Sequence, residues 1–146
     1  MAKAILKYSR NPGLDVVNFF EQVLFSFLTG NADMHLKNFS LIDRPELGYV
    51  LSPAYDMVAS ILVVEGDEEE LALTLNGKKK KIRKNDFLEA MNKFDIDAKA
   101  IENIFSKFKN SEEKWHEFIN KSFLPDEMKS SFHDLIKERV HRILNS

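Results

Sequence analysis

A chain of 146 residues, 44% of them hydrophobic, is long enough for one domain with a sizeable core or for part of a larger protein, and too apolar for wholesale disorder. A formal charge of −2 excludes a global electrostatic pull toward nucleic acid or an anionic membrane, and the absence of Cys excludes disulfides and thiolate metal sites. No run of about eighteen uncharged apolar residues occurs, and MAKAILKYSRNPGLD has no apolar stretch fit for a signal peptide. The expectation is a cytoplasmic protein without a membrane span, in a reducing compartment.

Residues 1–10 read as a short helix or the tail of one, closed by the turn signal Asn11-Pro12-Gly13. Leu14 to Thr29 reads as a helix, with Asp15 as N-cap or first-turn acid and Gly30 as the residue just past its end. Its apolar residues cover most of its circumference, which predicts a central, buried helix. Phe39–Asp43 and Tyr49–Asp56 are expected to form a β-hairpin around Pro45 and Gly48. Met57–Val64 is apolar and fits either a helical turn or a strand. Gly66–Glu70 is an acidic surface loop. LALTLNGKKKKIRK suggests a second hairpin, because Asn76-Gly77 suits a type I′ turn.

From Asn85 onward the pattern is helical. Asn85 is a candidate cap for Asp86–Phe94, Asp97 for Ala98–Lys109 and Ser111 for Glu112–Lys121, and Pro125-Asp126 opens a last helix. Ile101, Ile104, Phe105 and Phe108 form one stripe. Trp115, Phe118 and Ile119 form another, and Met128, Phe132, Leu135, Ile136, Val140, Ile143 and Leu144 a third. Twelve Phe point to aromatic-rich helix packing. The expected fold class is mainly α with small β-hairpins, an α+β single domain over residues 1–146.

Polar chemistry concentrates in Asn31-Ala32-Asp33-Met34-His35-Leu36-Lys37-Asn38, between two apolar segments. An Asp followed five positions later by an Asn has the spacing of a kinase catalytic loop. There the Asp accepts a hydroxyl proton and the Asn holds a metal. The hairpin, paired over residues 39–52, follows directly, and Tyr55-Asp56 lies just beyond the paired part of its second strand. Paired strands bring their ends back together, so Asn38 and Asp56 should converge with Asp33 nearby. One carboxylate and one amide oxygen suit Mg²⁺, which shares itself with substrate phosphates. Lys37 is placed to face a phosphate as a point charge, and His35 to shape the loop by hydrogen bonding.

Residues LTGNADMHLKNFSLI and YVLSPAYDMVAS closely resemble the C-terminal region of HipA-like kinases, the serine/threonine kinase toxins of bacterial toxin–antitoxin systems. The pattern N-x-D-x-H-x-K-N, then P-x-Y-D, is matched at Asn31, Asp33, His35, Lys37, Asn38, Pro53, Tyr55 and Asp56. The sharp part of the resemblance runs over residues 23–60. It implies a kinase C-terminal-lobe fold, Asp33 as catalytic base or hydroxyl-positioning residue, and Asn38 and Asp56 as Mg²⁺ ligands. His35 and Lys37 complete the expected catalytic group, and Asn31, Lys37 and Tyr55 the expected ATP-binding group. It also implies ATP as phosphoryl donor, a protein substrate (for this family typically an aminoacyl-tRNA synthetase) and an antitoxin partner.

A kinase also needs a nucleotide-covering lobe with a phosphate-gripping loop and a strand Lys. The five Gly, at 13, 30, 48, 66 and 77, form no such loop, and only about thirty residues precede the catalytic motif. The chain is therefore expected to be the C-terminal lobe alone, inefficient as a kinase until the N-terminal lobe is supplied. The alternative is a non-catalytic binding module that keeps the motif and contacts an antitoxin, a partner lobe or DNA. The run Lys78–Lys84 would carry any phosphate contact with nucleic acid. The favoured reading is a solvated hairpin tip beside the acidic loop, since no aromatics interleave with the lysines. His133 and His141 are eight apart and would share a helix face, without the spacing of a metal site.

Overall fold

The computed structural model describes residues 1–64 and 69–145; the acidic loop expected at 66–70 lies mostly outside them. Helices α1 (Ala2–Tyr8) and α2 (Pro12–Leu28) come first. An antiparallel pair follows, β1 (Leu41–Arg44) and β2 (Gly48–Leu51). Helices α3 (Lys84–Asn92), α4 (Ala98–Lys109), α5 (Glu112–Lys121) and α6 (Asp126–Leu144) complete the chain. Short 3₁₀ turns occupy Leu36–Asn38 and Ser60–Leu62. The fold is mainly helical with a small hairpin, as the sequence pattern predicts. No helix among the described residues is long and apolar enough to cross a membrane.

Helix α2 is the axis on which the rest is built. Pro12 starts it, where a fixed φ and a missing N–H do no harm. Val16, Phe19, Phe20, Val23, Leu24, Phe27 and Leu28 are all buried. They pack against α1, β2, α4 and α6. Edge-to-face ring contacts spread from this helix: Phe19 meets Phe39 at 5.0 Å and Phe27 meets Phe87 at 5.6 Å. The helix ends at Gly30, whose φ of 77° belongs to the left-handed region. A Cβ there would also stand 2.5 Å from the Leu135 side chain of α6, whose terminal methyl would have to shift.

Two buried charges tie α2 to its neighbours. Asp15 lies in the first turn, as expected, but its carboxylate does more than favour the helix dipole. It accepts from the Ser9 hydroxyl at 2.5 Å and from the Leu51 backbone N–H at 2.8 Å. One side chain thus joins α1, α2 and β2. At the other end, Arg139 of α6 donates to the Phe27 carbonyl and lies 4.7 Å over the Phe27 ring. Burial lowers the Arg139 pKa to about 10, with Glu70 acting in the opposite direction, so it remains charged at neutral pH. A cation against the last carbonyls of a helix is electrostatically favourable. Arg142 sits 5.2 Å over the same ring and pairs with Glu70 at 2.6 Å, while Glu70 also accepts the Ile82 N–H at 2.8 Å. The C-terminal end of α2, where the polar loop starts, is held rigid by this cluster.

Several expected boundaries shift for identifiable reasons. The second strand stops at Leu51 rather than reaching Asp56. Its last ladder bond runs from Ser52 N–H to Ser40 O at 2.8 Å, and Pro53 has no N–H to continue it. The second hairpin shrinks to one bridge, Leu75 with Lys78. Asn76 and Gly77 keep the positive φ values of 48° and 80° that a type I′ turn requires. The flanking Leu71, Leu75 and Ile82 are drawn into the core instead of forming a ladder. Met57–Val64 resolves as a 3₁₀ turn, not a strand.

Among the helices, α3 begins at Lys84 and is capped by Asp86, which accepts the Arg83 N–H at 2.8 Å; Asn85 does not cap it. Asp97 caps α4 as expected, accepting from Lys99 and Ala100 N–H. Ser111 precedes α5, but its hydroxyl donates back to the Lys107 carbonyl at 2.8 Å and caps nothing. Phe118 was expected in the core and is 79% exposed, because α5 turns Ile119 inward and leaves Phe118 on its flank. His133 and His141 both lie on α6, and His141 is exposed. His133 meets His116 of α5, Nδ1 to Nδ1 at 2.6 Å.

Candidate active site

The polar loop leaves α2 through Gly30 and enters a 3₁₀ turn that delivers Asn38 to the foot of the hairpin. Asn31 N–H donates back to the Ser26 carbonyl at 2.8 Å, which bends the chain sharply off the helix. His35 N–H donates to the Asp33 carbonyl at 2.8 Å, and Asn38 N–H to the His35 carbonyl at 3.0 Å. Alternating burial follows. Asn31, Ala32, Met34 and Asn38 face inward, while Asp33 and Lys37 face solvent. The loop therefore presents its carboxylate and its cation outward on a backbone anchored from beneath.

The hairpin then returns the chain as its pattern demands. Asn38 Nδ2 donates to Asp56 Oδ2 at 2.7 Å. Asn31 Nδ2 donates to the Asp56 backbone carbonyl at 3.3 Å. Asp56 itself has φ 54°, a conformation uncommon outside glycine and asparagine. Such backbone settings persist where the surroundings hold them, as the two asparagines do here. Tyr55 OH donates to the Lys37 carbonyl at 2.9 Å, closing the turn from the other side. Asn31, Lys37, Asn38, Tyr55 and Asp56, five of the seven expected site residues, are thus joined by side-chain hydrogen bonds. The other two, Asp33 and His35, belong to the same loop through its backbone.

The donor set around Asp56 is one carboxylate and one carboxamide. The Asn38 amide that donates to Asp56 carries its Oδ1 on the other arm. Hard oxygen donors of this kind fit Mg²⁺, which is commonly held by one or two carboxylates with the remaining positions left to water and phosphate. Among the described residues no three His, Asp or Glu side chains gather into a cage for a metal. Any ion here would rest on an open half-site completed by its substrate. Two polar atoms beside the site, Asn31 Oδ1 and His35 Nδ1, are buried without a hydrogen-bond partner among the described residues.

A groove of about 440 Å³ runs beside the segment leading to Asp56, lined by Gln22, Phe25, Arg44, Leu51, Ser52 and Met57 among others. None of the expected site residues lines it. Two cations of the basic run are paired within the fold. Lys78 pairs with Asp86 at 2.7 Å and Lys79 with Glu69 at 2.9 Å. Burial alone would raise the Asp86 carboxyl pKa, but the Lys78 hydrogen bond and the Arg83 N–H outweigh it and hold it below the ordinary value. One contact at the loop had no motif to announce it. Ser60 Oγ accepts the Ala32 N–H at 2.9 Å. Its only sequence signal is a serine four residues beyond Asp56.

Comparison with known proteins agrees with this architecture. The HipA-like C-terminal domain family model matches residues 1–115. Over 66 residues the chain is 47% identical to Y4dM of Sinorhizobium fredii, covering 45% of this chain and 16% of that protein. Over 67 residues it is 39% identical to the serine/threonine-protein kinase toxin HipA of Shewanella oneidensis, covering 46% of this chain and 15% of that protein. Among solved structures, HipA in the Shewanella oneidensis complex of HipA, HipB and operator DNA superimposes with a TM-score of 0.81 at 21% identity. That match covers 99% of this chain and 35% of the other. The chain thus spans well under half the length of these relatives.

Proposed function

The chain belongs to the HipA-like C-terminal domain family, and from that premise we propose that it carries the catalytic half of a serine/threonine protein kinase site. The reading rests on one observation above the rest. Asn38 and Asp56, eighteen residues apart, meet at 2.7 Å at the end of the loop that holds Asp33. In the complete protein the γ-phosphate of ATP would pass to a protein hydroxyl. Asp33, exposed at the loop crest, accepts or orients that hydroxyl. Asn38 and Asp56 would hold Mg²⁺, which when bound would neutralise charge on the transferring phosphoryl group.

The remaining residues orient the site. Lys37 supplies a positive charge toward phosphate, and its backbone is steadied by Tyr55. His35 shapes the turn between Asp33 and Asn38 through its backbone bonds. Asn31, buried, holds the backbone of Asp56. Phosphoryl transfer depends on positioning and electrostatics, so residues 1–146 tested by themselves should be a weak catalyst. We assign a nucleotide-covering half, in the same protein or a separate one, and an antitoxin as what it works with; the HipA of Shewanella oneidensis is seen with HipB and operator DNA.

Calorimetric titration with Mg·ATP, run beside Asp56→Ala, tests the assignment. Binding in the native chain that disappears in the variant is the expected result. Equal binding by both would overturn the metal assignment.

A further inference from the structure

Asp33 is the residue on which the proposed chemistry turns, yet its own side chain is exposed. Among the described residues no hydrogen bond or ion pair holds its carboxylate. Its placement must come from the backbone on either side. On the C-terminal side its carbonyl accepts the His35 N–H at 2.8 Å. On the N-terminal side, the residue before it, Ala32, donates its N–H to Ser60 Oγ at 2.9 Å.

We propose that Ser60 is a positioning residue for Asp33, through which the segment carrying Asp56 sets the orientation of the catalytic loop. This deepens the kinase reading above and rests on it. The geometry makes the tie specific. Ile61 N–H donates to the Gly30 carbonyl at 3.1 Å, one rung along from the Ser60–Ala32 bond. Two adjacent rungs between segments 30–32 and 60–61 resist both sliding and rotation. A single bond would allow the loop to pivot. A third tie, Asn31 Nδ2 to the Asp56 carbonyl at 3.3 Å, joins the same two stretches four residues upstream of Ser60.

The surroundings leave Ser60 as the adjustable element. Gly30 is backed by Leu135 of α6 and by Ile61, so the loop cannot retreat into the core. Ala32 is buried, and without the hydroxyl its N–H would lose its partner. A buried donor left unmade costs far more than the bond is worth in water, so the peptide between Ala32 and its neighbours would turn to find another acceptor. That rotation is transmitted directly to Asp33. The metal ligands Asn38 and Asp56 are held by other bonds and would stay in place.

Ser60→Ala and Ser60→Thr in the full chain test this by NMR and by Mn²⁺ binding. In Ser60→Ala the Ala32 amide should exchange at least about tenfold faster, the Asp33 carboxylate carbon resonance should move, and Mn²⁺ affinity should stay within about twofold. Ser60→Thr, which keeps the hydroxyl, should restore both NMR signatures. Unchanged Ala32 exchange and Asp33 resonance in Ser60→Ala would overturn the proposal, as would parallel loss of Mn²⁺ binding, which would mark a merely structural role. The kinase reading fails separately: Mn²⁺ binding insensitive to Asp56→Ala removes it while leaving the Ser60 result intact.

Discussion

Asn38 donates to Asp56 at 2.7 Å across eighteen residues of chain, and this bond closes the proposed site. It is charge-assisted, but Asp56 is exposed to solvent, which holds its worth to about 0.5–1.5 kcal/mol. Both residues also have a second task, and the two tasks compete. An ion bound at Asp56 would need an oxygen lone pair that the amide now occupies. Asn38→Ala is therefore expected to weaken Mn²⁺ binding less than Asp56→Ala, since the variant removes one ligand and also one competitor. Electron paramagnetic resonance titration with Mn²⁺ measures the order, and the reverse order would refute it.

The Tyr55 hydroxyl holds the Lys37 carbonyl at an exposed position. Such a bond is worth about 0.5–1.5 kcal/mol. Tyr55→Phe should leave the thermal midpoint nearly unchanged and quicken amide exchange in residues 36–38. A loss of more than about 3 kcal/mol would mean that Tyr55 carries packing rather than a single hydrogen bond.

The His116–His133 contact predicts acid sensitivity. With Nδ1 facing Nδ1 at 2.6 Å, at least one ring must be unprotonated there to accept. Burial lowers the His133 pKa below its ordinary 6.5, aided by His116 and Lys137 and opposed by Asp134; Asn120 meets its Nε2 at 2.9 Å, and Glu112 approaches His116 at 3.8 Å. The folded state thus favours the neutral ring. Its contribution is present above about pH 6.5 and is lost as pH falls below that value. The thermal midpoint should drop more steeply between about pH 7 and 5 in the native chain than in His133→Gln. Identical slopes would show that the pair does not control the α5–α6 contact.

Two phenylalanines should behave oppositely. Phe27 is fully buried between Phe87, Arg139 and Arg142, and Phe27→Ala should cost about 3–5 kcal/mol. Phe118 is 79% exposed, and Phe118→Ala should stay within about 0.5 kcal/mol. Chemical denaturation of both variants decides the matter, and a large loss for Phe118→Ala would contradict the packing of α5.

The basic run predicts little salt-dependent DNA binding. Lys78 and Lys79 are already paired with Asp86 and Glu69. Neutralising Lys78–Lys81 to Gln should leave any retention on DNA unchanged between about 50 and 200 mM salt. A steep salt slope abolished by those substitutions would favour the binding-module reading instead.

What the sequence determined by itself is whatever depends on near neighbours. The bounds of α4 and α5, the Asp97 cap, the left-handed Gly30 and the positive φ of Asn76 and Gly77 all follow from local chemistry. The order of Asp33, Asn38 and Asp56 around a hairpin was legible for the same reason, because a hairpin returns its ends whatever surrounds it. The tertiary structure alone decided which distant groups meet. Ser60 under Ala32, Asp15 on the Leu51 N–H and His116 against His133 are contacts between elements. So is the exposure of Phe118, whose helical periodicity looks the same as that of a core residue. Periodicity tells which face of a helix is apolar, but the depth at which that face lies is set by how neighbouring elements close over it.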